Sequence, residues 1–583
     1  MLQVSSKSLK PNSVCLLLVA FGVLVWLSCN VSRIRIYQVD ECETIYMSKL
    51  LASGQAKVYF AGISPYLVLI SCVDHGATHA SQYFSFARTL MLGVFWLNLL
   101  LIALAASGRG LLSLKGLVAL IGAASLAPLW DYGFEVRHDN MLLLGLLLSW
   151  YVLRVRPLGP TSYFVAGVLA MIVQLSSFKA FVYSFPLIVA YVAFPSPGHR
   201  APRWKLALAW LTGFLAVLIV TRLAYGAAGM WELFLADLHR VSGDATGNNR
   251  FSPTWTLGRL LSQTPLLLAL LAAATAAVVI DIQKRGRDAL TWESNFPEAL
   301  LFASALGVLL INPTPFPYNL LHLVPYAFIF AFRYASGLWD ELRYRPALVP
   351  IALTTLLFAH FVPFWLATRR HLEWPNYRQE RLMQMAEDLT DAAKDPVYDG
   401  IGMVPTRPSI HFNWFLHSFN IQNFINGPGP RVRDMLAAKP AAVFIPNYRT
   451  DWLPAADHKF VREHYVSLAD DFWVLGKVLP AGGDTFEIIH PGRYRISSLP
   501  GSDIVGTYPE GFGGLIAPEV EGCIRGTLDG VPLSDGPVEL EAGIHRIECA
   551  SDCQPAVVWM GPHLNRIHRV PPGDHKELFV NWY

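Results

Sequence analysis

Apolar residues come in long blocks through the first two thirds of the chain and in short blocks after that. A helix that crosses a membrane needs about 20 mostly apolar residues, sometimes about 17. Eleven blocks read as spans, at roughly 13–30, 88–107, 111–130, 140–155, 161–177, 180–195, 205–226, 258–281, 298–312, 317–336 and 347–367. Beyond 367 the periodicity changes. The segment 376–393 places Leu382, Met385, Ala386 and Leu389 at i, i+3, i+4 and i+7, which predicts an amphipathic helix. Short apolar runs at 441–445 and 472–478, with GPGP at 427–430, extend this to a small α/β unit over 368–482. From 483 the segments YRISSL, CIRGTLDGVPL, VELEAGIHRIECA and AVVWMG are short and turn-bounded, and Asp529-Gly530 is a hairpin signal. They predict a β-sandwich over 483–583. The expected fold is a mainly α polytopic membrane domain over 1–367, followed by the α/β and β-sandwich regions.

Composition sharpens this division. Charged residues make up 15% of the 583, against about 25% in soluble chains. Only 42 of them fall in 1–367, while 47 fall in the shorter 368–583. A soluble enzyme, a disordered chain and a coiled coil are excluded. The net charge of +3 gives no reason to expect nucleic acid as a partner. The first apolar run follows Lys7 and Lys10, and no A-x-A-like cleavage site follows it, so it is expected to stay as a span.

Orientation follows from where the cations fall, since cytoplasmic loops carry excess Lys and Arg. With the N-terminus inside, the inside loops hold Arg109 and Lys115; Arg154 and Arg156; His199, Arg200, Arg203 and Lys205; Lys284, Arg285 and Arg287; and Arg333, Arg343 and Arg345. The outside loops include 31–87 with Asp40, Glu41, Glu43 and Asp74, and an odd number of spans puts the whole tail outside. Cys523, Cys549 and Cys553 then lie in an oxidising compartment, where one disulfide and one leftover thiol are expected.

Three polar features stand at that outer rim. Asp40 and Glu41 follow the first span and open an amphipathic stretch, where acids also suit a helix N-terminus. The loop DYGFEVRHDN (131–140) gathers Asp131, Glu135, Arg137, His138 and Asp139, and Asp139 opens an apolar run where a carboxylate is costly and has a partner or a task. Lys179 lies at an outside turn between two short spans. With Arg88, these carboxylates and cations suit phosphate binding beside a general base or a metal ion. His75 and His79, at i and i+4, read mainly as a surface face. There is no G-x-x-x-x-G-K-[ST] and no G-x-S-x-G.

In this order the residues resemble the GT-C superfamily of polytopic glycosyltransferases, especially the bacterial relatives of protein O-mannosyltransferases and the aminoarabinose transferases of lipid A. Asp40, Glu41 and Tyr46 match the acidic pair of the first outside loop, and Arg88 the Arg that opens the second span. Arg137 and Asp139 match an R-x-D at the fourth span, and Lys179, Ala180 and Pro186 a K-G/A…P. Trp231, Phe234, His239 and Arg240 resemble a later loop motif, and Tyr318 and Pro325 the start of a late span. The K-P-P-L of the lipid A enzymes is replaced by AGISPYLVL, with Pro65 alone.

The resemblance implies a multi-pass protein of the bacterial inner membrane that moves a sugar from a polyprenyl-phosphate donor to a hydroxyl of a lipid, glycan or protein. It implies Asp40 as base, Glu41 as its support and Asp139 as an orienting acid. Arg88, Arg137, Lys179, His239, Arg240 and Tyr318 are the expected substrate-binding residues, and Glu41 and His239 the expected ligands of a divalent metal. A single displacement would invert the anomeric centre. The alternatives are a transporter or lipid-linked-sugar flippase, which needs polar residues at mid-membrane depth, and a non-catalytic scaffold that binds envelope glycan.

Overall fold

The computed structural model describes residues 11–54, 65–73, 77–108, 113–155, most of 159–191 and of 201–239, 252–290, 295–312, 315–342, 348–411, 415–416, 431–469, 471–499, 525–534, 536–562 and 578–579. Arg240, Pro186, His75, Cys523 and the GPGP segment lie outside the described residues.

The first apolar run forms helix α1 (Pro11–Ile34), and four residues separate it from α2 (Val39–Ala52). A capping box opens α2: the backbone N–H of Gln38 donates to Glu41 Oε2 at 2.9 Å. There follow α3 (Pro65–Val73), α4 (Ala80–Ser107), α5 (Leu114–Ala124), α6 (Ala127–Tyr132), α7 (His138–Trp150) and α8 (Pro160–Ser176). The block expected at 111–130 is thus two helices, broken at Ser125–Leu126, where the Ser125 hydroxyl returns to the Ile121 carbonyl. Then come α9 (Arg203–Ala227), α10 (Thr254–Gln263), α11 (Pro265–Arg285), α12 (Phe296–Ile311), α13 (Leu320–Leu342), α14 (Val349–Leu356) and α15 (Val362–Glu373). Pro265 has no N–H to give, so the expected span at 258–281 divides there into α10 and α11.

Among the described residues, five helical stretches are long and apolar enough to cross a membrane: Cys15–Ile34, Ala80–Ser107, Arg203–Ala227, Pro265–Arg285 and Pro350–Glu373. Leu114–Ala124, Pro160–Ser176 and Phe296–Ile311 are apolar but shorter. Leu16, Trp26, Ile219, Val220, Leu223, Phe358 and Trp365 are large apolar side chains left exposed on these helices, as a lipid-facing surface requires.

The tail contains α16 (Tyr377–Leu389), α17 (Val432–Ala438) and α18 (Ala455–His464). The predicted amphipathic face of α16 is the buried one, with Leu382, Met385, Ala386 and Leu389 in the core. Strands β1 (Val397–Tyr398), β2 (Val443–Phe444), β3 (Tyr465–Ala469), β4 (Phe472–Val478), β6 (Gly492–Leu499), β9 (Val538–Leu540) and β11 (Gln554–Trp559) form one sheet, ordered β1-β2-β4-β11-β6-β9 with β3 also on β4. A second sheet has the order β5-β10-β7-β8, from β5 (Thr485–Ile488), β7 (Gly526–Leu528), β8 (Val531–Pro532) and β10 (Gly543–Cys549). Asp529 and Gly530, both at positive φ, turn β7 into β8. The pairing of β4 with β11 carries the first sheet across the boundary expected at 482/483, so the α/β and sandwich regions share a sheet.

The tail is also continuous with the membrane domain. One apolar core contains Val39, Cys42, Ile45, Tyr83 and Phe84 together with Leu382, Phe444, Val474 and Trp559. A second core, with Trp130, Leu146, Tyr163 and Leu323, lies within the bundle.

Helices α8 and α9 cross in close backbone contact. A Cβ at Gly167 would lie 2.0 Å from the Trp210 carbonyl oxygen, and one at Gly213 2.1 Å from that of Phe164. Small residues are what let two membrane helices approach this closely. Gly167→Val is expected to push the pair apart at a cost at or above the about 1–3 kcal/mol of overpacking. The detergent-solubilised variant should therefore melt well below wild type; an unchanged midpoint would contradict the crossing.

Candidate active site

The chain leaving α1 is fixed from several directions. Ile36 donates its backbone N–H to the Trp374 carbonyl at 3.0 Å, and Asn376 donates its own to Ile34 at 2.8 Å. Gln379, on the tail helix α16, accepts from the Tyr37 N–H at 2.7 Å and donates back to the Tyr37 carbonyl at 3.1 Å. The first turn of α2 follows directly, so the tail sets where Asp40 and Glu41 point.

They point in different directions, as adjacent helix positions must. Glu41 is fully buried. Arg88 Nε donates to its Oε1 at 3.0 Å and Arg88 Nη2 to its Oε2 at 2.6 Å. The Val136 N–H adds 3.1 Å to Oε1, and the Gln38 N–H takes the other side of Oε2. Burial pushes the Glu41 carboxyl up, but Arg88 and then Arg35 hold it below the ordinary glutamate value. Arg88 also donates to the carbonyls of Ser32, Arg35 and Ile36 at 2.7–3.1 Å. Both expected site residues therefore tie α1, α2, α4 and the 133–137 loop together.

Asp40 turns to the rim. Its carboxylate pairs with Arg137 Nη1, and its side chain is 28% exposed. Arg137 is buried, and its Nε reaches Asp139 Oδ2 at 3.3 Å. Asp139, in the first turn of α7, is fully buried. Its Oδ1 accepts from Lys179 Nζ at 3.2 Å and lies 3.1 Å from His322 Nε2. Lys179 Nζ also donates to Asn319 Oδ1 at 3.3 Å and keeps 24% of its side chain exposed. The Tyr318 ring links the two halves: Arg137 Cζ lies 3.9 Å and Lys179 Nζ 4.5 Å from its centroid. Asp40, Arg137, Asp139, Lys179 and Tyr318 thus form one contiguous ring.

Sequence reasoning missed His322 and Asn319. His322 is four residues beyond Tyr318, and a histidine in the apolar run LLHLVPY is the kind of polar group that signals a task. Glu135 reads in the sequence only as part of the loop's charge. Burial pushes its carboxyl up to about 7, against the pull of Arg35, with which it pairs, and of Arg137. A second cluster adjoins the first through the same loop. Buried Asp131 accepts from Arg370 Nη2 at 2.8 Å and Gln263 Nε2 at 2.7 Å, and meets His371 Nε2 at 3.0 Å, which staples α6 to α10 and α15.

The expected metal ligands do not fit an ion. All four acceptor positions of Glu41 are taken, and His239 is exposed. Among the described residues, no three His, Cys, Asp or Glu side chains are grouped to hold one. The carboxylates of the ring already face nitrogen cations.

No protein-family model matches the sequence, and no curated protein matches it. Solved structures do match. ArnT from Cupriavidus metallidurans in the apo state superposes with a TM-score of 0.51 at 12% identity, covering 80% of this chain and 97% of that one. ArnT from the same organism bound to undecaprenyl phosphate gives 0.48 at 12%, covering 76% and 94%. The archaeal oligosaccharyltransferase AglB from Archaeoglobus fulgidus, in complex with an inhibitory peptide and a dolichol-phosphate, gives 0.49 at 12%, covering 79% and 74%. At such identity the likeness is one of fold, and apo ArnT carries it.

Removing either partner of the buried Glu41–Arg88 pair leaves a charge without its counter-ion, at a cost of about 3–5 kcal/mol. Glu41→Leu and Arg88→Met are each expected to depress the melting midpoint sharply, and the double variant to recover part of the loss. Single variants that melt like wild type would show that the pair does not hold the rim.

Proposed function

We propose that this chain, which has the GT-C fold seen in ArnT, is a membrane glycosyltransferase. It takes a sugar from a polyprenyl-phosphate donor and gives it to a hydroxyl of a lipid, glycan or protein. The observation that carries the reading is the ring itself: Asp40 and Lys179, a carboxylate and an ammonium, are partly exposed members of a mostly buried charge cluster at one end of the bundle.

The chemistry follows from what a phosphate ester needs. The acceptor oxygen attacks the anomeric carbon, its proton passes to the Asp40 carboxylate, and the bond from that carbon to the phosphate oxygen breaks. The departing electron pair stays on the phosphate, so the leaving group needs cations more than it needs an acid. Lys179 and Arg137 supply them across the Tyr318 ring. In the free protein both cations already face carboxylates, and the charges of Asp40, Arg137, Asp139 and Lys179 cancel. A donor phosphate must therefore compete with Asp40 for Arg137. That competition releases Asp40 as a base when the donor is in place. Asp139, held by His322, keeps Lys179 aimed at the phosphate. Displacement from the face opposite the phosphate inverts the anomeric centre. We propose further that the transfer runs without a metal, because both carboxylates of the ring are engaged by nitrogen cations.

We infer from the excess of Lys and Arg in the opposite loops that the ring and the tail face the extracytoplasmic side of a bacterial inner membrane. Arg154 and Arg333, both on Glu298 at the other end of α7, fall on the cytoplasmic side.

With a labelled polyprenyl-phosphate sugar in membranes, Asp40→Asn is expected to cut transfer by about 10²–10⁴-fold, the usual contribution of a general base. Wild-type turnover in that variant would remove Asp40 from the mechanism. Lys179→Ala loses one charged hydrogen bond, about 1.5–3 kcal/mol, and should raise the donor KM about tenfold or more; an unchanged KM rejects its role. Chelation by EDTA should leave transfer unaltered, and a loss restored by a divalent ion would overturn the metal-free account.

A further inference from the structure

Away from the ring, the tail contains two cysteines that its backbone holds together. Cys549 is the last residue of β10, in the four-stranded sheet, and Cys553 immediately precedes β11, in the seven-stranded sheet. The turn between them is closed by the Cys553 N–H, which donates to the Ala550 carbonyl at 2.9 Å. Gly482 then binds both ends of it. Its N–H donates to the Cys553 carbonyl at 2.9 Å, and its carbonyl accepts from the Cys549 N–H at 3.1 Å. Two residues hydrogen-bonded to one peptide residue cannot move apart without breaking these bonds. The Cys549 thiol already turns across the turn, 3.3 Å from the Cys553 carbonyl oxygen. Both side chains are partly exposed, so an oxidant can reach them.

The remaining described cysteines differ. Cys15 and Cys29 are on α1, Cys42 is buried in α2 and Cys72 is exposed on α3.

We infer that Cys549 and Cys553 are joined by a disulfide in the mature protein, closing the corner where the chain passes from one sheet of the tail to the other. In balanced form, the two thiols give up two protons and two electrons. A sulfur–sulfur bond forms between the Sγ atoms, and a disulfide-bearing oxidant of the compartment is reduced to its dithiol. The inference rests on the extracytoplasmic placement of the tail, because only an oxidising compartment maintains such a bond.

Burial and the neighbouring Cys553 thiol push the Cys549 thiol up. The position has a structural use as well. β11 is the strand that pairs with β4 on one side and β6 on the other, and the clip anchors its entry.

Trypsin isolates the pair. Cleavage after Arg546 and Arg566 puts both cysteines on the peptide 547–566, while Cys523 falls on the separate peptide 496–525. Membranes of cells expressing the full chain would be denatured in N-ethylmaleimide, digested without reductant and analysed by mass spectrometry. Peptide 547–566 is expected unalkylated and two hydrogens lighter than its dithiol form, and to take up two alkyl groups only after reduction. Two alkyl groups without reduction, or a cross-link to peptide 496–525, would overturn the inference. A membrane-impermeant maleimide applied to intact spheroplasts separates the causes of the first of these failures. Labelling shows the tail outside with thiols that do not pair, so the disulfide alone fails. Protection until the membrane is opened shows the tail inside, and the sidedness in the functional reading fails with it.

Discussion

A buried carboxylate can be tolerated at a membrane edge only if its lone pairs are filled, and at Glu41 the filling of those lone pairs organises the rim. Two nitrogens of Arg88 and two backbone N–H groups surround it, and the same guanidinium collects three carbonyls from the end of α1. This pair joins α1, α2, α4 and the loop before α7 at one point. Its net contribution to stability is modest, because desolvation offsets much of the attraction. Its consequence is positional. With Glu41 turned inward, the residue before it on α2 turns to the rim, and that residue is Asp40.

The tail completes the same device. Residues 374–380 bond to the chain between α1 and α2, and Glu387 accepts from the Ala80 N–H at 2.6 Å, at the start of α4. Because the α2–α4 core runs on into the sheet of the tail, the tail supports the site loop and is not a loosely tethered appendage. Rigid support of this kind suits a centre whose members come from four separate stretches of chain. It leaves Asp40, Lys179 and the Tyr318 ring at the rim, with the groups that orient them packed behind.

The sequence pattern made the membrane domain, the α16 face and the Asp529-Gly530 hairpin legible, since periodicity and turn chemistry are local. The rim residues were legible too, because a charge beside an apolar run needs a reason. What was not legible depended on distant contacts. Nothing near Glu41 in the sequence says that Arg88, 47 positions later, will take both of its oxygens. His322 sits in an apolar run and is paired with an aspartate 183 positions earlier. The 482/483 boundary followed a change in local pattern, whereas the pairing of β4 with β11 is a long-range event. Pro265 and Ser125 broke blocks that composition alone reads as continuous.

The central claim is that a donor phosphate and Asp40 compete for Arg137. A structure determined with a polyprenyl phosphate bound tests it directly. The account predicts the phosphate oxygens within hydrogen-bond distance of both Lys179 Nζ and the Arg137 guanidinium, with the Asp40 carboxylate parted from Arg137 and open to the acceptor side. A phosphate bound away from Tyr318, with the Asp40–Arg137 pair intact, would contradict it.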